Sequence, residues 1–172
     1  MDSVKFLLYV LKRIGIFIAV DLFGSAVAKV FVPAIASFFP ATGAAKRFLT
    51  EGTGGSLVGW AVMLILLSVV FFDDGKKHTA YEIWNSINII IALIFMFLVY
   101  FIPSVFRDSF HQESKGDVFY SIIYAPVQWL EDKFDMAYTS SAGIGIGIIL
   151  FVLFVVYVVS YKIYLRKHKS LA

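Results

Sequence analysis

Four stretches of the chain are apolar on every side: Ile14–Pro33, Ser56–Phe72, Trp84–Pro103 and Ala142–Tyr161. A helix on the surface of a soluble protein keeps a polar stripe, and one without it is buried in protein or lipid. Each stretch approaches the roughly 20 residues that cross a bilayer. The pattern predicts an all-α, polytopic integral membrane protein, with residues 1–172 forming a single four-helix membrane domain. The second stretch is short, so its helix is expected to begin at Gly54 or Gly55. The third is expected to stop near Pro103, because proline lacks the N–H that a regular helix needs. The first is expected to end near Pro33 or to run on toward Phe39.

Two further segments mix apolar and polar positions. Residues 3–13 are basic and apolar together, which fits either an interfacial helix or an extension of the first span. A cleaved signal peptide is the competing reading, with "AVA" at 26–28 as the cleavage site. Asp21 and the apolar run beyond residue 28 argue against it. The connection 107–141 is too long for a simple turn. Within it Phe119, Ile122, Ile123, Val127, Leu130 and Phe134 recur near helical spacing, with acidic residues mostly opposite. Proline is comfortable at a helix start, so Pro126 predicts a short amphipathic helix over 126–136. It is expected to rest on the membrane surface or cap the bundle, and a docking surface for a partner is the alternative.

Composition supports this class. The chain is 60% hydrophobic and only 16% charged, whereas soluble domains are about a quarter charged. There is no cysteine, which excludes disulfides, thiolate metal sites and a cysteine nucleophile. The net charge of +3 is modest and its basic residues cluster toward the ends, so no nucleic-acid partner is expected.

Charge placement sets the expected orientation. With the N-terminus inside, the inner segments hold nine lysines and arginines, among them Lys12, Arg13, Lys76, Lys77 and Arg166, and the outer loops hold five. Four spans with both termini cytoplasmic are expected, in the manner of a small bacterial inner-membrane protein.

Small residues mark expected close packing. Gly143 and Gly147 form a G-x-x-x-G pair, and Ser141 with Gly145 form a second pair. In the first span Gly24 and Ala28 are spaced likewise, as are Gly15 and Ala19. Such pairs let helix backbones approach closely. They serve packing within the bundle or contact with a homo-oligomeric or heteromeric partner.

One polar group within the spans demands an account. Asp21 lies roughly 12 Å along the helix from Arg13, well inside a hydrocarbon core of about 30 Å. A central charge is expensive there, and such groups usually face the bundle or a watery cavity. Lys29 can reach the headgroups with its long stem. Asp21, Ser25 and Lys29 step by four and form a polar stripe. Asn85 and Asn88 share a face at the start of the third span. Asp21, Ser25 and Asn88 are therefore the candidate intramembrane polar site. The alternative is that Asp21 is a neutral or paired packing residue.

No catalytic motif accompanies it. The chain lacks H-E-x-x-H, G-x-S-x-G and a phosphate-binding loop. "DDGKKH" at 73–78 reads as a solvated turn rather than a metal site. No enzyme activity and no cofactor are expected. The leading functional expectation is a membrane protein acting through protein contacts, as an accessory subunit or an immunity or exclusion protein. The alternative is a proton- or cation-coupled transport or channel subunit that uses Asp21.

Overall fold

The computed structural model describes residues 3–40, 43–50, 53–80, 86–106 and 120–169. These residues are helical with no strand among them, and four of the helices are long and apolar enough to cross a membrane. Helix α1 spans Ser3–Ala26 and continues through a π-helical turn, Val27–Phe31, into α2, Val32–Ala36. A short helix α3, Ala44–Thr50, precedes the long α4, Gly54–Ala80. Helix α5 covers Ser86–Val105. A 3-10 turn, Ala125–Val127, leads into α6, Gln128–Phe134, and α7 runs from Tyr138 to Lys169.

Helix α4 is central. It packs along α1 on one side and α7 on the other, and α5 lies against α1 and α7. Met63, Leu67, Met96, Ile146, Ile149 and Leu153 are fully buried between these helices. The outward faces stay apolar, with Ile65, Val69, Ile94 and Phe151 half exposed or more. One end of the array holds the described starts and finishes of the chain, and the other holds α2, α3 and α6. These are called here the terminal end and the loop end.

The structure decides between boundaries that the sequence left open and moves others, for identifiable reasons. Residues 3–13 form no separate interfacial helix. They extend the first long helix, because Tyr9 and Arg13 are held by Asp74 of α4. The first helix takes the longer of its two expected courses and runs on past Pro33 to Ala36. The widened turn at Val27–Phe31 precedes the proline, and Pro33 then sits in the first turn of α2, where no N–H is needed. Pro103 likewise lies inside α5, two residues before its end. "DDGKKH" is not a solvated turn but the last turns of α4. Lys77 and His78 there favour the negative end of the helix dipole.

The amphipathic segment starts one residue earlier than expected and stops at Phe134, where Asp135 adopts left-handed φ 50° and ψ 42°. It does not rest on a surface. Tyr120, Tyr124, Ala125, Val127 and Leu130 are buried, so the segment caps the bundle by sinking into it. Ser56 of α4 clamps it twice: its hydroxyl donates to the Ala125 carbonyl and accepts the Trp129 N–H at 2.9 Å. The rest of the acidic loop, residues 107–119, lies outside the described residues, as do Trp84 and Asn85.

Candidate functional site

Helix α1 turns Asp21 and Ser25 inward, at 4% and 2% exposure. Neither the Asp21 Oδ1 nor the Ser25 hydroxyl has a hydrogen-bond partner among the described residues. Lys29, the third member of the stripe, separates from them. Its ammonium donates to the Gln128 Oε1 of α6 at 3.1 Å, on the exposed loop end. The stripe therefore splits into a capping contact and a buried carboxyl.

Asp21 faces a cavity of about 390 Å³ between α1, α5 and residues 122–124. Phe17, Tyr100 and Tyr124 supply aromatic walls, and Ile18, Leu22 and Val99 supply aliphatic ones. The aromatic walls brace one another. Tyr100 meets Tyr124 edge-on at 4.7 Å between centroids and Phe17 at 5.8 Å. The Tyr124 hydroxyl donates to the Tyr100 carbonyl at 2.5 Å. Burial holds the Tyr124 phenol well above its ordinary titration range, so this donor persists at every physiological pH. The Tyr100 hydroxyl is buried without a hydrogen-bond partner among the described residues. Pro103, also in the lining, has no N–H for the Val99 carbonyl four residues earlier.

Asn88 is not part of this site. It is half-buried near the start of α5, about 18 Å along that helix from Tyr100. Helices α1 and α5 run the same way along the array, and Asp21 lies level with the far end of α5. Spacing on one helix shows which residues share its face. It does not show which levels of two helices meet.

The small residues find their partners inside the chain. A side chain at Gly24 would meet the Gly59 carbonyl at 3.0 Å, and one at Gly55 would meet the Ala28 carbonyl at 2.9 Å. Gly24 of α1 and Ala28 of the π-helical turn thus oppose Gly55 and Gly59 of α4, a second small pair not singled out in the sequence. Gly145 makes room for Val127, whose Cγ1 would lie 2.5 Å from an added Cβ. Gly143 lies against Phe101. Gly147 and Gly15 have open space where a side chain would go, so Gly143 and Gly147 do not act as a pair within the chain.

A second polar cluster, at the terminal end, went unseen in the sequence. Asp74 is 2% exposed and forms an ion pair with Arg13. The Tyr9 hydroxyl donates to the other Asp74 oxygen at 3.0 Å. The Arg13 guanidinium lies over the Tyr9 ring at 5.2 Å. His78 Nδ1 is 2.7 Å from the Tyr157 hydroxyl of α7. Gly75 allows this approach, since an added Cβ would lie 2.7 Å from the Tyr157 carbonyl. Thr79 and Ser160 add hydrogen bonds between α4 and α7. The available signal was spacing: Tyr9 with Arg13, and Asp74 with His78, each four apart and so on one face. Each of these side chains has a protein partner, although the Arg13 Nε is buried without one among the described residues, and the contacts fasten three helices together. Among the described residues no three of His, Cys, Asp and Glu converge as metal ligands do.

No protein-family model matches the chain, and neither a curated protein sequence nor a solved structure is measurably similar to it.

Proposed function

We propose that this chain is a four-span membrane protein with both termini on the cytoplasmic side, and that it handles a proton or cation at Asp21 within the bilayer. One observation carries the reading. Asp21 is buried within the first long helix, lacks a partner for Oδ1 among the described residues and faces a cavity. A packing carboxyl would be expected to have its hydrogen bonds satisfied. An unsatisfied one beside open space suits a group that takes up and releases its counter-charge. Among the described residues no metal-ligating cluster accompanies it, and the proposed role is binding or translocation.

The test uses protein reconstituted in lipid. The carboxylic C=O stretch of Asp21 is expected to titrate in infrared difference spectra, and Asp21→Asn is expected to remove that band. Proton or cation flux into proteoliposomes under an imposed potential is expected to fall at least about tenfold in the same variant. A spectrum and a flux both unchanged by Asp21→Asn would overturn the reading. Thermal unfolding in detergent serves as the folding control.

A second reading is favoured by Gly147. It lies in an apolar groove of about 300 Å³ between α5 and α7, lined also by Ile94, Phe97 and Phe151. A close-packing glycine with no helix against it fits an accessory subunit seated against a partner's span.

A further inference from the structure

We propose that the Asp21 cavity binds a lipophilic organic cation, a compact aromatic or alkyl body bearing one positive charge, which reaches it from the membrane. This deepens the reading of Asp21 as a cation site and rests on it.

The charge follows from Asp21. It is the only charged residue lining the cavity among the described residues, and its Oδ1 lacks a hydrogen bond. A buried carboxylate needs a counter-charge, because an unpaired buried charge is expensive. A ligand cation supplies it, as a proton does.

The organic body follows from the rest of the wall. A calcium ion takes six or more oxygen ligands and magnesium a near-ideal octahedron of them. The side chains here offer one carboxylate and the Tyr100 hydroxyl, with the Tyr124 hydroxyl committed to a backbone carbonyl. That set cannot replace an inorganic ion's hydration shell. It matches a quaternary ammonium or pyridinium group, whose charge is spread and whose surroundings are carbon. Phe17, Tyr100 and Tyr124 line the cavity, and aromatic rings attract such cations. The volume of about 390 Å³ lies within the usual range for small-molecule sites.

The route of access follows from the rim. Ile18, Leu22, Val99 and Ile122 line the cavity and are also 38–47% exposed on the apolar exterior. A ligand arriving there crosses no polar surface, which selects compounds that partition into lipid.

The experiment compares two probes of one shape, N-methyl-4-phenylpyridinium and uncharged 4-methylbiphenyl, against full-length protein in lipid nanodiscs. The pyridinium is expected to bind saturably and to release a proton at a pH where Asp21 holds one. It should bind at least about tenfold more tightly than the biphenyl after correction for partition into empty nanodiscs. Asp21→Asn should weaken the pyridinium at least about tenfold, since it removes the partner of a buried charge, and should leave the biphenyl unchanged. Ile18→Trp, which fills the cavity and keeps Asp21, should weaken both. Equal binding of the two probes, or pyridinium binding indifferent to Asp21→Asn, overturns the inference. An Asp21 band that still titrates while no pyridinium binds sinks this inference alone. Loss of that titration as well sinks the reading beneath it.

Discussion

At the scale of single residues, the two buried carboxylates differ by their partners. Asp21 has an unsatisfied oxygen, while Asp74 has an arginine and a tyrosine. Removing one side of a buried ion pair leaves the other charge uncompensated, at about 3–5 kcal/mol. Asp74→Ala is therefore expected to lower the unfolding temperature in detergent sharply. Replacing both members, Arg13→Met with Asp74→Leu, should recover much of that loss. Additive losses in the double variant would show that the pair is not coupled. Asp21→Asn should unfold close to the parent, because no ion pair is broken. The sequence made Asp21 conspicuous, since a lone acid stands out in an apolar run. Asp74 was hidden because Asp73, Gly75 and two lysines surround it, and such a cluster resembles a turn. Only contact with α1, some 60 positions earlier, converts it into a buried group.

At the scale of elements, the glycines separate contacts made within the chain from positions left open. Gly59→Ala places a methyl group 2.5 Å from the Gly24 carbonyl and 2.9 Å from the Ala28 Cβ. Backbone cannot step aside as a side chain can, so α1 and α4 must separate, at about 1–3 kcal/mol. Gly147→Ala meets nothing within 4 Å and should gain up to about 1 kcal/mol from helix propensity. Opposite shifts in unfolding temperature are the expected result, and equal shifts would contradict the packing described. If a partner span occupies the Gly147 groove, Gly147→Ala should also deplete the protein that co-purifies in mild detergent. The four long helices were legible because all-round apolarity needs no partner to be recognised. The pairing of small residues was not, because spacing marks a face that can be approached and leaves its neighbour unnamed. At the prolines the chain follows expected courses: the first helix runs on past Pro33 to Ala36, and α5 ends two residues beyond Pro103. A widened turn at 27–31 accommodates Pro33, and near the end of α5 the bond that Pro103 omits costs little.

At the scale of the whole molecule, length and charge together argue for one arrangement in the membrane. The first long helix has 33 residues and the last has 30, about 50 and 45 Å, against a hydrocarbon core of about 30 Å. In the proposed four-span arrangement the excess extends past the bilayer, and basic residues mark where. Lys12, Lys76, Lys77 and Arg166 ring the terminal end, where the Arg13–Asp74 pair ties α1 to α4. At the loop end, Lys46, Arg47 and Lys133 are accompanied by Glu131, Asp132 and Asp135. The proposed topology, with the terminal end inside, follows the bias of lysine and arginine toward the cytoplasm. The absence of cysteine makes the test direct, since single cysteines report without a background. Lys12→Cys, Arg47→Cys and Arg166→Cys each replace a residue exposed at the surface. In intact cells a membrane-impermeant maleimide is expected to label Arg47→Cys alone, and the other two only after lysis. Labelling of Lys12→Cys and Arg166→Cys from opposite faces would break the four-span count. The reverse pattern, with Arg47→Cys protected and the other two labelled, would keep the count and invert the molecule, placing the Arg13–Asp74 fastening outside.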